Sequence, residues 1–174
     1  MSGHRIRVAG AEPALAAALA EVLIDCVEGG ASVGFLAPLT HARALAFWEG
    51  WLAAVARGER LLLVAEAGDG RVDGTVSVSF AAMENQPQRG ELNKMLVHRR
   101  ARRAGLGAAL VAAAEAAACA AGRRLLILDA VSGGDAERLY ARLGWQRVGA
   151  IPDYALWPDG RRCSTTYYYK QIAR

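Results

Sequence analysis

Apolar residues recur along this chain with two periods, and the places where one gives way to the other mark its elements. Ile6 and Val8 alternate with arginines over Arg5–Val8, the two-residue period of a strand with one buried face. Behind Pro13 the spacing widens: Leu15, Leu19, Val22, Leu23 and Cys26 fall on one side of a helix, which Gly29-Gly30 stops. Thr40 can cap a second helix carrying Leu45, Trp48, Leu52 and Val55 as its stripe, with Gly58 at its end. Leu61–Ala65 and Val72–Phe80 return to β character around Gly68-Asp69-Gly70, a hairpin signal. After the polar loop Glu84–Gly90, Glu91–Val97 is a further strand.

The alanine-rich segment Leu106–Ala121 must be helical, because alanine loses least on entering a helix. Leu125–Leu128 is a compact apolar strand ending at Asp129. Ala136–Leu143 is a short helix stopped by Gly144, and Trp145–Val148 resumes β character. The stretch IPDYALWPDG reads as a loop, and Thr165–Lys170 as a last strand with two tyrosines on one face. The predicted order is β-α-α-β-β-β-α-β-α-β-β. With no repeat or linker, residues 1–174 are expected to form one mixed α/β domain.

Composition narrows the function. The net charge of +4 comes almost wholly from arginine, since Lys94 and Lys170 are the only lysines. That balance suits a phosphate-bearing ligand and is too small to imply nucleic acid; HRRARR also lacks the interleaved aromatics of a strand-binding groove. Cys26, Cys119 and Cys163 are widely spaced and form no CxxC pair, so neither a disulfide framework nor a metal site is expected, and a cytoplasmic location is. The longest apolar run, Ala108–Ala121, contains Glu115 and is too short to cross a bilayer; no signal peptide or membrane association is expected. His41 and His98, without metal spacing, read as surface residues.

One segment carries chemistry. Strand Glu91–Val97 runs through the loop His98–Ala104 into a helix that opens with Gly105-Leu106-Gly107. A helix start presents unpaired N–H groups and partial positive charge, and glycines let an anion approach the backbone. Arg99, Arg100, Arg102 and Arg103 would add donors around a pyrophosphate. Neither GxxxxGK[ST] nor GxGxxG is present.

Arg102-Arg103-Ala104-Gly105-Leu106-Gly107 matches R/Q-x-x-G-x-G/A and resembles the acetyl-CoA pyrophosphate loop of the GNAT acetyltransferase superfamily. The later block LLILDAVSGGDAERLYARLGWQRVG resembles that superfamily's next strand, helix and Gly-aromatic turn. VEGGASVGFLAPL, VGAIPDYALWPDG and the terminal YYYK further resemble the tabtoxin-resistance group within it, which acetylates a β-lactam toxin. The resemblance implies a GNAT fold: a twisted mixed sheet of six to seven strands flanked by about four helices. Two departures stand out. Arg103 occupies a position where the group usually has glycine, and Ala130 follows Asp129 where threonine is common.

What the resemblance implies about the site is specific. Acetyl-CoA would be the cofactor, without a metal, its pantetheine arm lying along the backbone of Met95, Leu96 and Val97. Arg102, Arg103, Ala104, Gly105, Leu106, Gly107 and Ala108 would hold the pyrophosphate. Glu91 is the expected base, Asp129 a second carboxylate, and Tyr140 the proton donor to the departing thiolate. Gly30, Ala31, Ser32 and Phe35, with their neighbours Gly29, Val33 and Gly34, would fold over a small-molecule acceptor opposite Tyr154 and Trp157. The acceptor would be an amine or hydroxyl of a metabolite or toxin; a protein amino terminus, a polyamine, or cofactor binding without catalysis are alternatives. A homodimer is compatible with all of these.

Overall fold

The computed structural model describes residues 3–172. Its elements are β1 (Arg5–Ala9), α1 (Leu15–Glu28), α2 (His41–Ala56), β2 (Arg60–Glu66), β3 (Val72–Phe80) and β4 (Arg89–Val97). A 3-10 turn (Arg99–Ala101) leads to α3 (Leu106–Ala120), β5 (Leu125–Val131), α4 (Asp135–Arg142), β6 (Gln146–Leu156) and β7 (Arg162–Gln171). The order is the predicted one. Seven strands form one sheet in the order β1-β2-β3-β4-β5-β7-β6, antiparallel except where β4 meets β5.

Alternation along β2 sorts the core into two layers. Leu62 and Val64 pack under α1 and α2 with Leu19, Leu23 and Trp48, while Leu63 and Ala65 face α3 with Leu110, Val111 and Ala114. Thr40 caps α2 as expected, its hydroxyl oxygen accepting the Arg43 N–H at 3.3 Å. Gly74 lies where α3 crosses β3: a methyl there would sit 2.9 Å from Leu110 Cδ1 and 3.1 Å from the Leu96 carbonyl oxygen.

Two expectations need correction. Ile151–Leu156, expected to be loop, belongs to β6, an edge strand paired only with β7. Pro152, the positive φ of Asp153 and a register shift between Ile151 and Ala155 break its alternation, so a two-residue period is not visible there. β5 also continues past Leu128 to Val131.

Candidate active site

Among the described residues the only parallel contact in the sheet is short. Arg89, Gly90 and Glu91 of β4 pair with Leu125, Leu126 and Ile127 of β5, and beyond that rung the strands part. β4 also changes course here. Thr75 pairs with Leu96 and Ser77 with Asn93, so Lys94 and Met95 together face Val76. Lys94 takes φ 49° at this bulge. The segment expected to carry a pantetheine arm, Met95–Val97, therefore follows both the bulge and the point of separation.

At the far end of that segment α3 begins at Gly105, which has φ 78° and no side-chain cap. The first helical bond runs from the Ala109 N–H to the Gly105 carbonyl, at 3.1 Å, leaving the N–H groups of Leu106, Gly107 and Ala108 without an intrahelical acceptor. A Cβ on Gly105 would meet nothing within 4 Å, so space lies open in front of the turn. These N–H groups, helped by the helix dipole, suit a diphosphate.

The four arginines expected beside that turn divide. Arg99 gives its backbone N–H and its Nε to the Asp25 carboxylate, both at 2.8 Å. Arg100 donates to Asp73 and to the Val72 carbonyl. Both are thus committed to buried carboxylates rather than aimed at the turn. Arg102 Nε lies 3.0 Å from the Val97 carbonyl oxygen, while Arg103 is exposed with φ 62°. Ala104, which follows Arg103, is exposed too. His98 is not a surface residue: half-buried, its Nδ1 accepts the Arg100 N–H and caps the 3-10 turn. His41 is exposed, as expected.

Glu91 and Asp129 stand on one face of the sheet. Glu91 pairs with Ile127, and Asp129 lies two residues further along the same strand. Burial and the neighbouring negative charge of Asp129 push the Glu91 carboxyl above its ordinary range. Thr165 Oγ1 is 3.1 Å from Asp129 Oδ2 and 3.0 Å from the Ala130 carbonyl oxygen. A hydroxyl therefore reaches Asp129 from β7 although Ala130 supplies none.

Several residues on this face were not foreseen. Tyr167 pairs directly with Asp129, and its hydroxyl is 2.7 Å from that of Tyr154. Lys94 points toward α2, with Nζ 5.5 Å from the Phe47 ring and 5.7 Å from the Trp51 ring. Burial pulls its ammonium below the usual lysine value, although Asp129 and Glu91 oppose this. The Tyr167 position was visible in the tyrosine alternation of the last strand. Lys94 needed knowledge of the bulge, which no local pattern announces.

The loop after α1 lies over this region. Lys94 Nζ is 3.4 Å from the Val33 carbonyl oxygen, and Phe35 stacks edge-on against Phe47 at 5.1 Å. Ser32 donates to the Leu156 carbonyl at 2.7 Å, tying the loop to β6. Gly30 supplies a positive φ of 85°, and Ala31 packs against the core beneath α1. A cleft of about 230 Å³ between Gly30, Ala37 and Trp157 lies beside the loop, but neither Glu91 nor Asp129 lines it. Tyr140, on the opposite face, is buried against Trp145 and Tyr168. Burial raises its hydroxyl pKa, so the phenol keeps its proton at neutral pH.

Residues 58–147, just over half the chain, match the family described as the acetyltransferase (GNAT) domain. The chain belongs to the GNAT acetyltransferases. Solved GNAT structures superpose over nearly its whole length. YncA of Salmonella typhimurium, a putative acetyltransferase with its cofactor acetyl-CoA, has 23% identity and a TM-score of 0.81, covering 99% of this chain and 96% of that one. A ribosomal-protein-alanine N-acetyltransferase of Brucella melitensis has 25% identity and a TM-score of 0.81, covering 96% and 99%. A phosphinothricin acetyltransferase of Sinorhizobium meliloti, in complex with acetyl-CoA, has 20% identity and a TM-score of 0.79, covering 97% and 88%.

The GNAT cofactor fits the residues present. The uncapped α3 turn offers three free N–H groups, and β4 beyond Glu91 has no partner on its β5 side. Among the described residues no His, Cys, Asp and Glu grouping could hold a metal ion, and no helix is long and apolar enough to cross a membrane.

Proposed function

We propose that this GNAT acetyltransferase moves the acetyl group of acetyl-CoA onto an amine or hydroxyl of a small metabolite or toxin by direct transfer. The observation that carries this reading is the position of Glu91 and Asp129. They share one face of the sheet where β4 and β5 part.

Acetyl-CoA supplies a thioester carbon for the acceptor to attack and a sulfur that must leave with a proton. The N–H groups of Leu106, Gly107 and Ala108, with Arg102 and Arg103, would hold its diphosphate. The backbone of Met95, Leu96 and Val97 would orient its arm, and one of their N–H groups would receive negative charge developing on the carbonyl oxygen. An acceptor ammonium gains a reactive lone pair only after losing a proton. Glu91, directly or through water, would take it, and its raised pKa suits abstraction near neutrality. Asp129 would keep that pKa raised and help hold the acceptor's cation. Tyr140, protonated at neutral pH, would deliver a proton to the sulfur side. Gly30, Ala31, Ser32 and Phe35 would cover the acceptor, with Tyr154 opposite.

The test is release of free thiol from acetyl-CoA in the presence of amines, amino acids, β-lactam analogues, polyamines and amino-terminal peptides. Small-molecule-dependent release that disappears in Glu91→Gln/Asp129→Asn supports the proposal. Tight CoA binding with no turnover on any acceptor would instead identify a binding module, and turnover confined to peptides or polyamines would replace the acceptor class.

A further inference from the structure

We propose that Asp25, at the end of α1, is a positioning residue that sets where the donor-binding turn begins. The inference rests on the reading of α3 as the diphosphate site. Asp25 is only 8% exposed, and an unpaired carboxylate at such depth is costly. Its hydrogen bonds go to one residue of the loop, the Arg99 N–H and Nε at 2.8 Å each, while His98 Nδ1, which accepts the Arg100 N–H, lies 3.4 Å away without donating. Those residues open the 3-10 turn that leads to α3. A carboxylate accepting both a backbone N–H and a guanidinium from one residue fixes that residue's position and orientation together.

The surrounding packing is built for this contact. Gly29 ends α1, and a methyl there would lie 3.1 Å from Arg99 Cδ, so the arginine stem crosses where only hydrogen fits comfortably. Next to Asp25, Cys26 Sγ lies 3.6 Å from the Val97 carbonyl oxygen and 3.7 Å from Arg102 Nη2. The last turn of α1 thereby touches the end of β4, Arg99 and Arg102 at once. On the other flank, Arg100 is held by Asp73, but Asp73 also binds His4 and Arg71 and so braces the β3 end as well. Asp25 has no such second duty in its hydrogen bonds. Its contribution falls on the path from Val97 to Gly105, and its removal should loosen donor binding while leaving the acid–base groups in place.

The experiment measures CoA affinity by calorimetry and steady-state constants for acetyl-CoA. Wild-type protein is compared with Asp25→Ala, Asp25→Asn and Arg99→Ala. Asp25→Ala should weaken CoA binding about tenfold and raise KM for acetyl-CoA similarly, with kcat within about twofold. Asp25→Asn, which keeps an oxygen for the Arg99 N–H, should recover part of that loss. Arg99→Ala, which keeps the N–H but removes the guanidinium, should fall between. A purely structural role would lower the active fraction and apparent kcat at unchanged KM, and that result overturns the inference. So would CoA affinity within twofold of wild type in folded Asp25→Ala or, should that variant not fold, in Asp25→Asn and Arg99→Ala. A wild-type protein that fails to bind CoA would overturn the donor site itself, and the positioning role with it.

Discussion

Gly90 sits on the short parallel contact between β4 and β5, one rung before Glu91, paired with Leu126. A methyl there would lie 2.8 Å from Val78 Cγ1 and 3.0 Å from Leu126 Cδ2, where carbon atoms ordinarily rest about 3.5–4.0 Å apart. Neither neighbour has room to yield. Val78 and Leu126 are both fully buried in the layer under α3. Gly90→Ala should therefore show the overpacking cost of about 1–3 kcal/mol, reduced by about 0.5–1 kcal/mol because alanine loses less backbone entropy on folding. The net destabilisation centres on about 1 kcal/mol within a span of about 0–2.5, and 1 kcal/mol is roughly 2–4 °C in Tm for a chain of this size.

Gly50 provides the matching control. It lies inside α2, and a methyl there meets nothing within 4 Å. Gly50→Ala should raise stability by about 0.5–1 kcal/mol through helix propensity alone. Thermal melts and urea titrations of the two variants should move in opposite directions. Because the Gly90 methyl would push β5 away just before the strands part, kcat of Gly90→Ala should also fall about tenfold, a displacement of tenths of an ångström being enough for that. Gly50→Ala should keep wild-type kcat. A Gly90→Ala protein that melts at or above the wild-type temperature would show that the close approach of Val78 and Leu126 is misjudged.

Four further outcomes concern the site and its supports. Glu91→Gln should lower kcat by about 10²–10⁴ for loss of a general base. Asp129→Asn should shift the acidic limb of the remaining activity to lower pH, because one of the charges raising the Glu91 pKa is gone; an unmoved limb would separate the two carboxylates. Tyr140→Phe should reduce kcat about a hundredfold while leaving KM for acetyl-CoA near wild type, and undiminished kcat would assign that tyrosine to packing alone. Burial opposes ionisation of Asp73, but hydrogen bonds from Arg71, His4 and Arg100 outweigh it and hold the carboxyl well below its ordinary value. Its contribution to stability is therefore present above the unfolded aspartate pKa and lost as pH falls through the lower folded value. Asp73→Ala should cost about 1.5–3 kcal/mol at neutral pH, because the Arg71 and Arg100 side chains it leaves are partly open to water, and flatten the acid side of the stability profile, as denaturant titrations at several pH values would show.

The element order was legible because each amphipathic stripe and each alternating run has a buried face, and burial imposes period on sequence. Leu15–Cys26 is of this kind, whereas Val72–Phe80 alternates in sequence although Val72–Val78 is buried on both faces. At the start of α3 the glycines marked a place where an anion could approach the backbone, and Gly105 takes a left-handed φ of 78° there. What stayed hidden depends on contacts between distant segments. That Arg99 and Arg100 serve carboxylates rather than the turn is decided by Asp25, 74 residues away in sequence, and by Asp73, 27 residues away. A run of four arginines looks the same whether its charges face a ligand or a buried acid.

Arg103 shows how a departure from the family pattern can leave the local backbone shape in place. It stands where related loops usually carry glycine, and its φ of 62° is one that glycine would adopt freely. The side chain is exposed, so nothing crowds it, and the left-handed backbone costs about 1–2 kcal/mol for a residue with a Cβ. That cost is small beside what rerouting the loop would forfeit, namely the Asp25 and Asp73 contacts on either flank. The loop therefore keeps its path and carries an exposed guanidinium two residues before the glycine that opens α3. A cation so near the open N–H groups would strengthen their hold on a diphosphate rather than block it.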